Sequence, residues 1–272
     1  MISAIANTVR YRELLAVLVW KNIIVRYKQA YLGLAWSILK PLTLMLIFTL
    51  MRSIIGINSG STPYPVLAFA ALLVWTLFQE SASEGINSIV GNAHLIRKIY
   101  FPREVFPLTA VLTKLVEFCI NLVVLGALMA WYGIAPTSTV LWLPLIVIYT
   151  LLSALCIAFA GAALNAFYRD VAAGLPLLLS LMMFLSPIIY PLSMVQDKLL
   201  VQRAGGDWSQ ALYTLYTMNP MAGIIDAVQR TLLMSKPPDP NAILPGLIVV
   251  AVTLPLSYLF FKRAEAYFAD VV

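Results

Sequence analysis

The sequence has few charged residues, one histidine and two cysteines. Only 11% of the 272 residues are charged, His94 is the sole histidine, and Cys119 and Cys156 both fall inside apolar stretches. One histidine and two separated cysteines make neither a disulfide framework nor a credible metal site. We therefore expect the chain to bind no metal ion.

Common catalytic motifs are missing as well. The sequence contains no G-x-x-x-x-G-K-[ST] phosphate loop, no H-E-x-x-H and no G-x-S-x-G. The chain is therefore not expected to be an enzyme, to hydrolyse ATP or to hold a cofactor of its own. If the protein does work against a gradient, we expect its energy source to lie outside this chain.

Apolar residues dominate the sequence. They make up 61% of the chain, with a mean hydropathy of +0.89, and runs of about 20 recur. Runs of this length cross the ~30 Å hydrocarbon layer of a bilayer as helices. We predict an all-α integral membrane protein with six spans, at about 31–54, 64–86, 105–131, 141–166, 171–194 and 242–261.

Residues 1–30 are predicted to form an amphipathic helix in the membrane interface. Apolar and aromatic residues recur there at helical spacing, with basic and amide side chains between them. The apolar positions are Trp20, Ile23, Ile24, Tyr27 and Tyr31. The chain thus divides into an interface helix, 1–30, and a six-helix membrane domain, 31–272.

The basic residues predict the orientation of these spans. Five lie in residues 1–30, three in the connection between spans two and three, one in that between spans four and five, and two just after the last span. The short connections on the other side hold only Arg52. Because positive charge stays inside, we predict that both termini are cytoplasmic. The net charge of +6 then needs no nucleic acid to explain it.

The stretch before the last span is too polar for a further full span. Its sequence ALYTLYTMNPMAGIIDAVQRTLL predicts two short helices broken at Asn219 and Pro220, because proline disfavours helix in the residue before it. Asp226 and Arg230 stand four residues apart and are predicted to pair. We expect a re-entrant helical pair at about 205–235 that enters the outer leaflet. The alternative is a hairpin lying on the surface.

The connection between spans two and three, GNAHLIRKIYFPREVFPL (91–108), concentrates basic and aromatic residues. Residues 88–101 can form a short helix with a polar face, and Pro102 ends it. Arginine and aromatic side chains are enriched at interface hot spots. Spacing alone leaves two readings open, insertion into a groove on a partner protein or contact with lipid phosphates.

Five stretches carry a family resemblance. They are RYKQAYLGLAWSILKPL (26–42), GNAHLIRKIYFPREVFPL (91–108), LNAFYRDV (164–171), SPIIYP (186–191) and NPMAGIIDAVQR (219–230). Together, and in this order, they resemble the membrane subunits of ABC-2 type transporters, in particular the group that exports polysaccharide or O-antigen.

The resemblance implies partners and a cargo. It implies a homodimer in the bacterial inner membrane, with two ATPase subunits on the cytoplasmic side that carry ATP and Mg²⁺. The cargo would be a polysaccharide on undecaprenyl diphosphate, passed through a channel at the dimer interface. The segment at about 88–102 would be the coupling helix that docks on the ATPase. Its implied contact residues are His94, Leu95, Ile96, Arg97, Lys98, Ile99, Tyr100 and Phe101, joined by Arg26 of the interface helix.

Ionisable residues inside the spans are candidates for the transport path, since such groups tend to face the interior or a water-filled path. Lys40 and Glu80 lie in or near spans one and two, and Glu84 follows one turn later. One hypothesis is that Lys40 attracts the lipid diphosphate; the alternative is that it snorkels or pairs with Glu80. Lys114 and Glu117 are expected to form an internal pair.

Aromatic residues in the spans suit sugar rings, whose apolar faces stack on them. Trp36, Trp75, Phe78 and Tyr190 are candidates for lining the path, although buried packing would explain the first three equally well. Two further groups are interpreted as structural or gating elements. They are the cytoplasmic turn at Arg169 and Asp170, which alternatively only fixes topology, and the set Asn219, Pro220, Asp226 and Arg230.

Three other functions compete with export of lipid-linked polysaccharide. An ABC-2 permease for teichoic acid, capsule, another lipid or a drug would have the same fold and a different accumulated cargo. A membrane-embedded enzyme acting on lipid-linked sugars would need clustered catalytic groups near one interface, and the sequence suggests none. A secondary transporter would work without an ATPase.

Overall fold

A computed structural model describes residues 11–28, 33–55, 62–98, 102–201 and 207–271. All of its regular elements are helical. They are α1 (Arg12–Tyr27), α2 (Gly33–Ile55), α3 (Tyr64–Asn87), α4 (Ala93–Lys98), α5 (Val105–Trp131), α6 (Leu143–Phe167), α7 (Val171–Leu185), α8 (Leu192–Gln196), α9 (Asp207–Thr217), α10 (Pro220–Leu233), α11 (Pro240–Glu265) and α12 (Phe268–Val271). Short 3₁₀ turns precede α4 and α6, and a π-helical turn follows α8.

Within the described residues, five helices are long and apolar enough to cross a membrane. They are Ala35–Ile54 within α2, Tyr64–Asn87, Val105–Trp131, Ser138–Phe167 and Pro240–Glu265. Five of the six predicted spans are therefore present as helices of spanning length, and the chain is a multi-pass membrane protein. The third span has the predicted bounds.

Helix α3 is the centre of the bundle. In its most apolar window 78% of the residues are buried, against 17% for α2 and 11% for α11. Its first part, residues 64–78, is apolar all round rather than on one stripe, as expected for a helix enclosed by others. Its closest neighbour is α6, where a side chain at Gly85 would stand 2.4 Å from the Cβ of Ala158. This position requires glycine.

Contacts between distant residues fix the direction of the helices. The end of α3 lies beside the end of α6, since Asn165 donates to the carbonyl of Ile86 (3.1 Å). Helix α11 runs in the same direction, because Thr253 contacts Cys156 and Phe261 stacks on Phe159. One end of the bundle, which we call the basic end, thus holds α1, α4, α12 and the last turns of α3, α6 and α11. The other, the hairpin end, holds α9 and α10.

The predicted fifth span, 171–194, is wrong as one continuous helix. Helix α7 has 15 residues and ends at Leu185; Ser186 is extended because it precedes Pro187. At ~1.5 Å per residue, α7 alone falls short of the ~30 Å hydrocarbon layer. The chain nevertheless passes from one end of the bundle to the other here, since the Tyr64 hydroxyl at the start of α3 donates to the carbonyl of Ile189 (2.7 Å).

The two short helices before the last span are present, and the break between them is where the sequence predicted it. Asn219 caps α10 by accepting from the backbone N–H of Met221 (3.1 Å), and Pro220 occupies the first helical position. Helix α10 packs closely on α11, because a side chain at Gly223 would lie 2.5 Å from the carbonyl oxygen of Ala242.

Candidate transport path and coupling surface

A cluster of five ionisable side chains lies between α2, α3 and α5; we call it the midspan cluster. The Lys114 ammonium is at its centre, 2.8 Å from Glu80, 3.0 Å from Glu84 and 3.0 Å from Glu117. Lys40 on α2 approaches the other oxygen of Glu80 at 2.8 Å. Two ammonium groups thus face three carboxylates.

Burial divides the midspan cluster into an inner and an outer part. The Lys114 side chain is 5% exposed and that of Lys40 is 55% exposed. Lys40 therefore pairs with Glu80, as one of the two sequence interpretations had it, while its side chain remains accessible. The predicted pair of Lys114 and Glu117 is also present.

Amide side chains extend this polar region along the spans. Asn121 donates to the carbonyls of Ser37 on α2 (3.1 Å) and Glu117 (3.0 Å). Gln79 accepts from the indole N–H of Trp75 (2.9 Å) and donates to Ser180 of α7 (2.9 Å). Sequence analysis missed both amides, although polar residues inside apolar runs were the signal that could have found them.

The four aromatic path candidates lie in different environments. Trp75 (1% exposed) and Phe78 (4%) are core residues whose ring centroids stand 5.5 Å apart, so packing accounts for them. Trp36 on α2 is 63% exposed. Tyr190 is partly buried, and its hydroxyl lies 3.3 Å from that of Tyr216. The structure thus leaves Trp36 and Tyr190 accessible and encloses the other two.

The predicted coupling segment is a 3₁₀ turn, Val90–Asn92, followed by the six-residue helix α4. His94 and Arg97 are exposed and Leu95 is partly buried. Ile96 is 6% exposed and packs in the chain's own core, so it anchors the segment rather than offering a contact surface. Lys98 ends α4. Ile99, Tyr100 and Phe101, and the side chain of Arg26, lie outside what the structure describes.

Helix α1 lies against the start of α5. Leu15 and Leu18 are buried together with Val105, whereas Trp20 is 65% exposed and faces away from the bundle. A cleft of about 470 Å³ separates α1 from the coupling segment. Its polar lining comes from Lys21, Asn22, Glu84, Asn87, Ser88, Asn92, His94 and Thr109.

The C-terminal end of α11 is joined to the connection that follows the coupling segment. Lys262 forms ion pairs with the buried Glu104 and with Glu265 (2.7 Å). The backbone N–H of Arg103 donates to the Glu265 carboxylate (3.1 Å), and its guanidinium donates to the Glu265 carbonyl. Sequence reasoning missed this network, because about 160 residues separate its two halves.

A second ion cluster lies at the hairpin end; we call it the hairpin cluster. Arg230 stands 3.8 Å from Asp226, the predicted partner, and 3.5 Å from Asp239, which sequence analysis missed. Burial and the Asp239 charge raise the pKa of Asp226 to about 6, against the opposing effect of Arg230. The Asn219 amide donates to Ser186 (3.0 Å), which joins the hairpin to the end of α7.

The remaining candidates form a simple turn. Arg169 and Asp170 are exposed between α6 and α7, and their carbonyls accept backbone N–H groups in the first turn of α7, those of Ala172, Ala173 and Gly174. Within the described residues, no three His, Cys, Asp or Glu side chains are placed to hold a metal ion.

Five apolar helices of spanning length, packed as one bundle within the described residues, define a multi-pass helical membrane protein. Residues 13–233 match the ABC-2 type transporter family, and the chain belongs to that family. It is thus a transporter membrane subunit and not itself catalytic.

Curated relatives are similar over most or all of the chain. An O-antigen export system permease protein RfbA of Myxococcus xanthus is 28% identical over all of both chains. Two permeases of the same name from Klebsiella pneumoniae are 29% and 30% identical, each over 78% of this chain and 77% of the relative.

Proposed function

We propose that this chain is the transmembrane subunit of an ATP-driven exporter that moves O-antigen-like polysaccharide, linked to undecaprenyl diphosphate, from the cytoplasm to the outer side of the bacterial inner membrane. The observation that carries this proposal is the full-length similarity to a permease named for O-antigen export. The active unit is a homodimer with two ATPase subunits, which bind the ATP and Mg²⁺. The chain itself binds no cofactor.

The topology of the proposal has six crossings and cytoplasmic termini. The contact of Ile189 with Tyr64 supports a crossing at the predicted fifth span, because it brings the segment after α7 to the hairpin end. Exposed Arg97, Arg169 and Arg263 at the basic end support a cytoplasmic position for that end. A cysteine placed at Asn92 should react with an impermeant thiol reagent only in inverted vesicles. Labelling of intact spheroplasts would contradict this orientation.

At the opposite end, α9 and α10 are proposed to be the re-entrant pair. Helix α10 is largely buried against α3, where Gln229 donates to the carbonyl of Leu67 (3.3 Å). Non-helical backbone at membrane depth is tolerated where protein covers it; at the break itself, Asn219 donates to Ser186 (3.0 Å) and Gly246 of α11 packs against Pro220. The hairpin then forms the outer gate of the path.

Coupling to the ATPase is proposed to use the exposed face of α4. His94 and Arg97 lie on that face, and Ile96 fixes it to the bundle. Arg97→Ala together with Tyr100→Ala should weaken copurification of the ATPase while the permease dimer persists. If the double variant copurifies with as much ATPase as the wild type, the exposed face of α4 is not part of the interface.

Lys40 is proposed to attract the diphosphate of the lipid-linked cargo as the cargo enters the transport path. Its ammonium pairs with Glu80 at 2.8 Å and its side chain is about half exposed, so an anion can approach this side chain. Lys40→Gln should leave the amount of folded protein unchanged and reduce export, whereas the matched control Lys236→Gln, at an exposed position of the hairpin end, should export normally. Normal export by Lys40→Gln would contradict the role.

The decisive test of the whole proposal is deletion of the gene, followed by surface-glycan staining and analysis of lipid-linked glycan in spheroplasts. Loss of surface polymer with lipid-linked polymer trapped inside is the expected result. Normal surface polymer would leave the ABC-2 assignment in place and transfer the proposal to another cargo.

A further inference from the structure

The coupling segment is seated on the far C-terminal part of the chain, not only on the two spans that it connects. Its buried residues Ile89 and Ile96 belong to one apolar cluster with Phe261 and Phe268, all at most 6% exposed. The rings of Phe261 and Phe268 stack edge to face at 5.3 Å. Movement of α4 must therefore displace the end of α11 or break this packing.

A network of ion pairs and hydrogen bonds also joins the connection after the coupling segment to the end of α11. Glu104, which directly precedes α5, is 1% exposed and pairs with Lys262 of α11. Lys262 also holds Glu265 (2.7 Å), whose carboxylate accepts from the backbone N–H of Arg103 (3.1 Å). Removing one partner of a buried ion pair leaves the other without compensation, so the pair is costly to separate.

We propose that Glu104 and Lys262 are positioning residues that hold the connection after the coupling segment against the last span; we call this pair the lock. Movement of the ATPase would then reach α11 as well as α3 and α5. This inference rests on the proposed function. It adds a direct mechanical connection from the coupling segment to the span that follows the outer hairpin. Through Gly223 and Ala242, α11 in turn packs on α10.

The lock predicts uncoupling rather than loss of assembly. In purified permease–ATPase complex in proteoliposomes, Lys262→Met should retain the ATPase subunits and ATP hydrolysis. Export per ATP should fall at least about fivefold, the lower range of coupling between distant sites. Lys262→Arg keeps the charge and should restore export. The matched control Arg263→Met, at the exposed neighbouring position, should behave as the wild type.

A double-mutant cycle separates the lock from a general need for charge. If the pair acts as one unit, Glu104→Gln with Lys262→Met should export no worse than either single variant. Should Lys262→Met fail to fold, the double variant removes the stranded carboxylate, and its export per ATP becomes the readout. The inference is overturned if the double variant exports as much per ATP as the wild type. It is also overturned if Arg263→Met loses as much export per ATP as Lys262→Met.

The wild-type complex distinguishes this inference from the proposed function. If the wild type exports in an ATP-dependent manner and the lock variants export less per ATP, both the proposed function and the lock are supported. If the wild type exports and the Lys262 and Glu104 variants export as much per ATP as it does, only the inference about the lock is overturned. A wild-type complex that moves no lipid-linked glycan overturns the proposed function, and with it the lock as a coupling device.

Discussion

The midspan cluster and the hairpin cluster are each centred on a cation, Lys114 or Arg230, that contacts more than one carboxylate, but in different surroundings. Lys114 is 5% exposed and contacts three carboxylates at 2.8–3.0 Å, drawn from two helices. Arg230 is 30% exposed and contacts two at 3.5 and 3.8 Å, one of them on its own helix. The shorter and less exposed contacts of the midspan cluster are therefore expected to stabilise the packing of the helices more than those of the hairpin cluster do.

The largest expected effect is that of removing the midspan cation. Lys114→Met leaves three carboxylates without their shared partner, and breaking a buried ion pair costs about 3–5 kcal/mol. We expect a marked fall in the melting temperature of the purified chain, or loss of folded protein. Lys40→Met is the matched control, since a half-exposed pair contributes about 0–1 kcal/mol. Equal losses in the two variants would contradict the distinction by burial.

Removal of the hairpin cation should cost less. Arg230→Met leaves Asp226 and Asp239 facing each other and removes the hydrogen bond from Arg230 to the carbonyl of Pro237 (3.3 Å). An unsatisfied, partly buried polar group costs about 1–3 kcal/mol. The melting temperature should therefore fall by less than in Lys114→Met. A larger fall would show that the hairpin, not the midspan, holds the bundle together. Lys236→Met, exposed in the same connection, serves as the control.

The two clusters also show what sequence can predict. The pairs of Lys114 with Glu117 and of Arg230 with Asp226 were predictable because both partners lie on one helix at three or four residues' spacing. The contacts of Lys114 with Glu80 and of Arg230 with Asp239 depend on how helices pack. No local pattern carries that information, so the central position of Lys114 emerged only in three dimensions.

The same division holds for the fold. The bounds of α5 followed from its apolar length, and the break before α10 followed from Asn219 and Pro220. The end of α7 at Leu185 was missed although Pro187 signals it, because the apolar run continues beyond the proline. The lock between Glu104 and Lys262 lay beyond local reasoning, since it joins the start of one span to the end of another.

The smallest expected effect tests whether the hairpin cluster responds to pH. The pKa of Asp226 is raised to about 6 in the folded chain, against about 3.9 in an unfolded one. The folded state therefore binds the proton more tightly. Ionised Asp226 destabilises the fold fully above about pH 6, and this penalty shrinks as the pH falls towards 4.

Asp226→Asn has no such titration and isolates the effect. Between pH 7.5 and pH 5 the wild type should gain stability relative to Asp226→Asn, by the equivalent of about 1 kcal/mol. The difference between the two melting temperatures at each pH measures this gain. A difference that stays constant over this range would mean that Arg230 holds Asp226 ionised throughout, and the hairpin cluster would then resemble the midspan cluster after all.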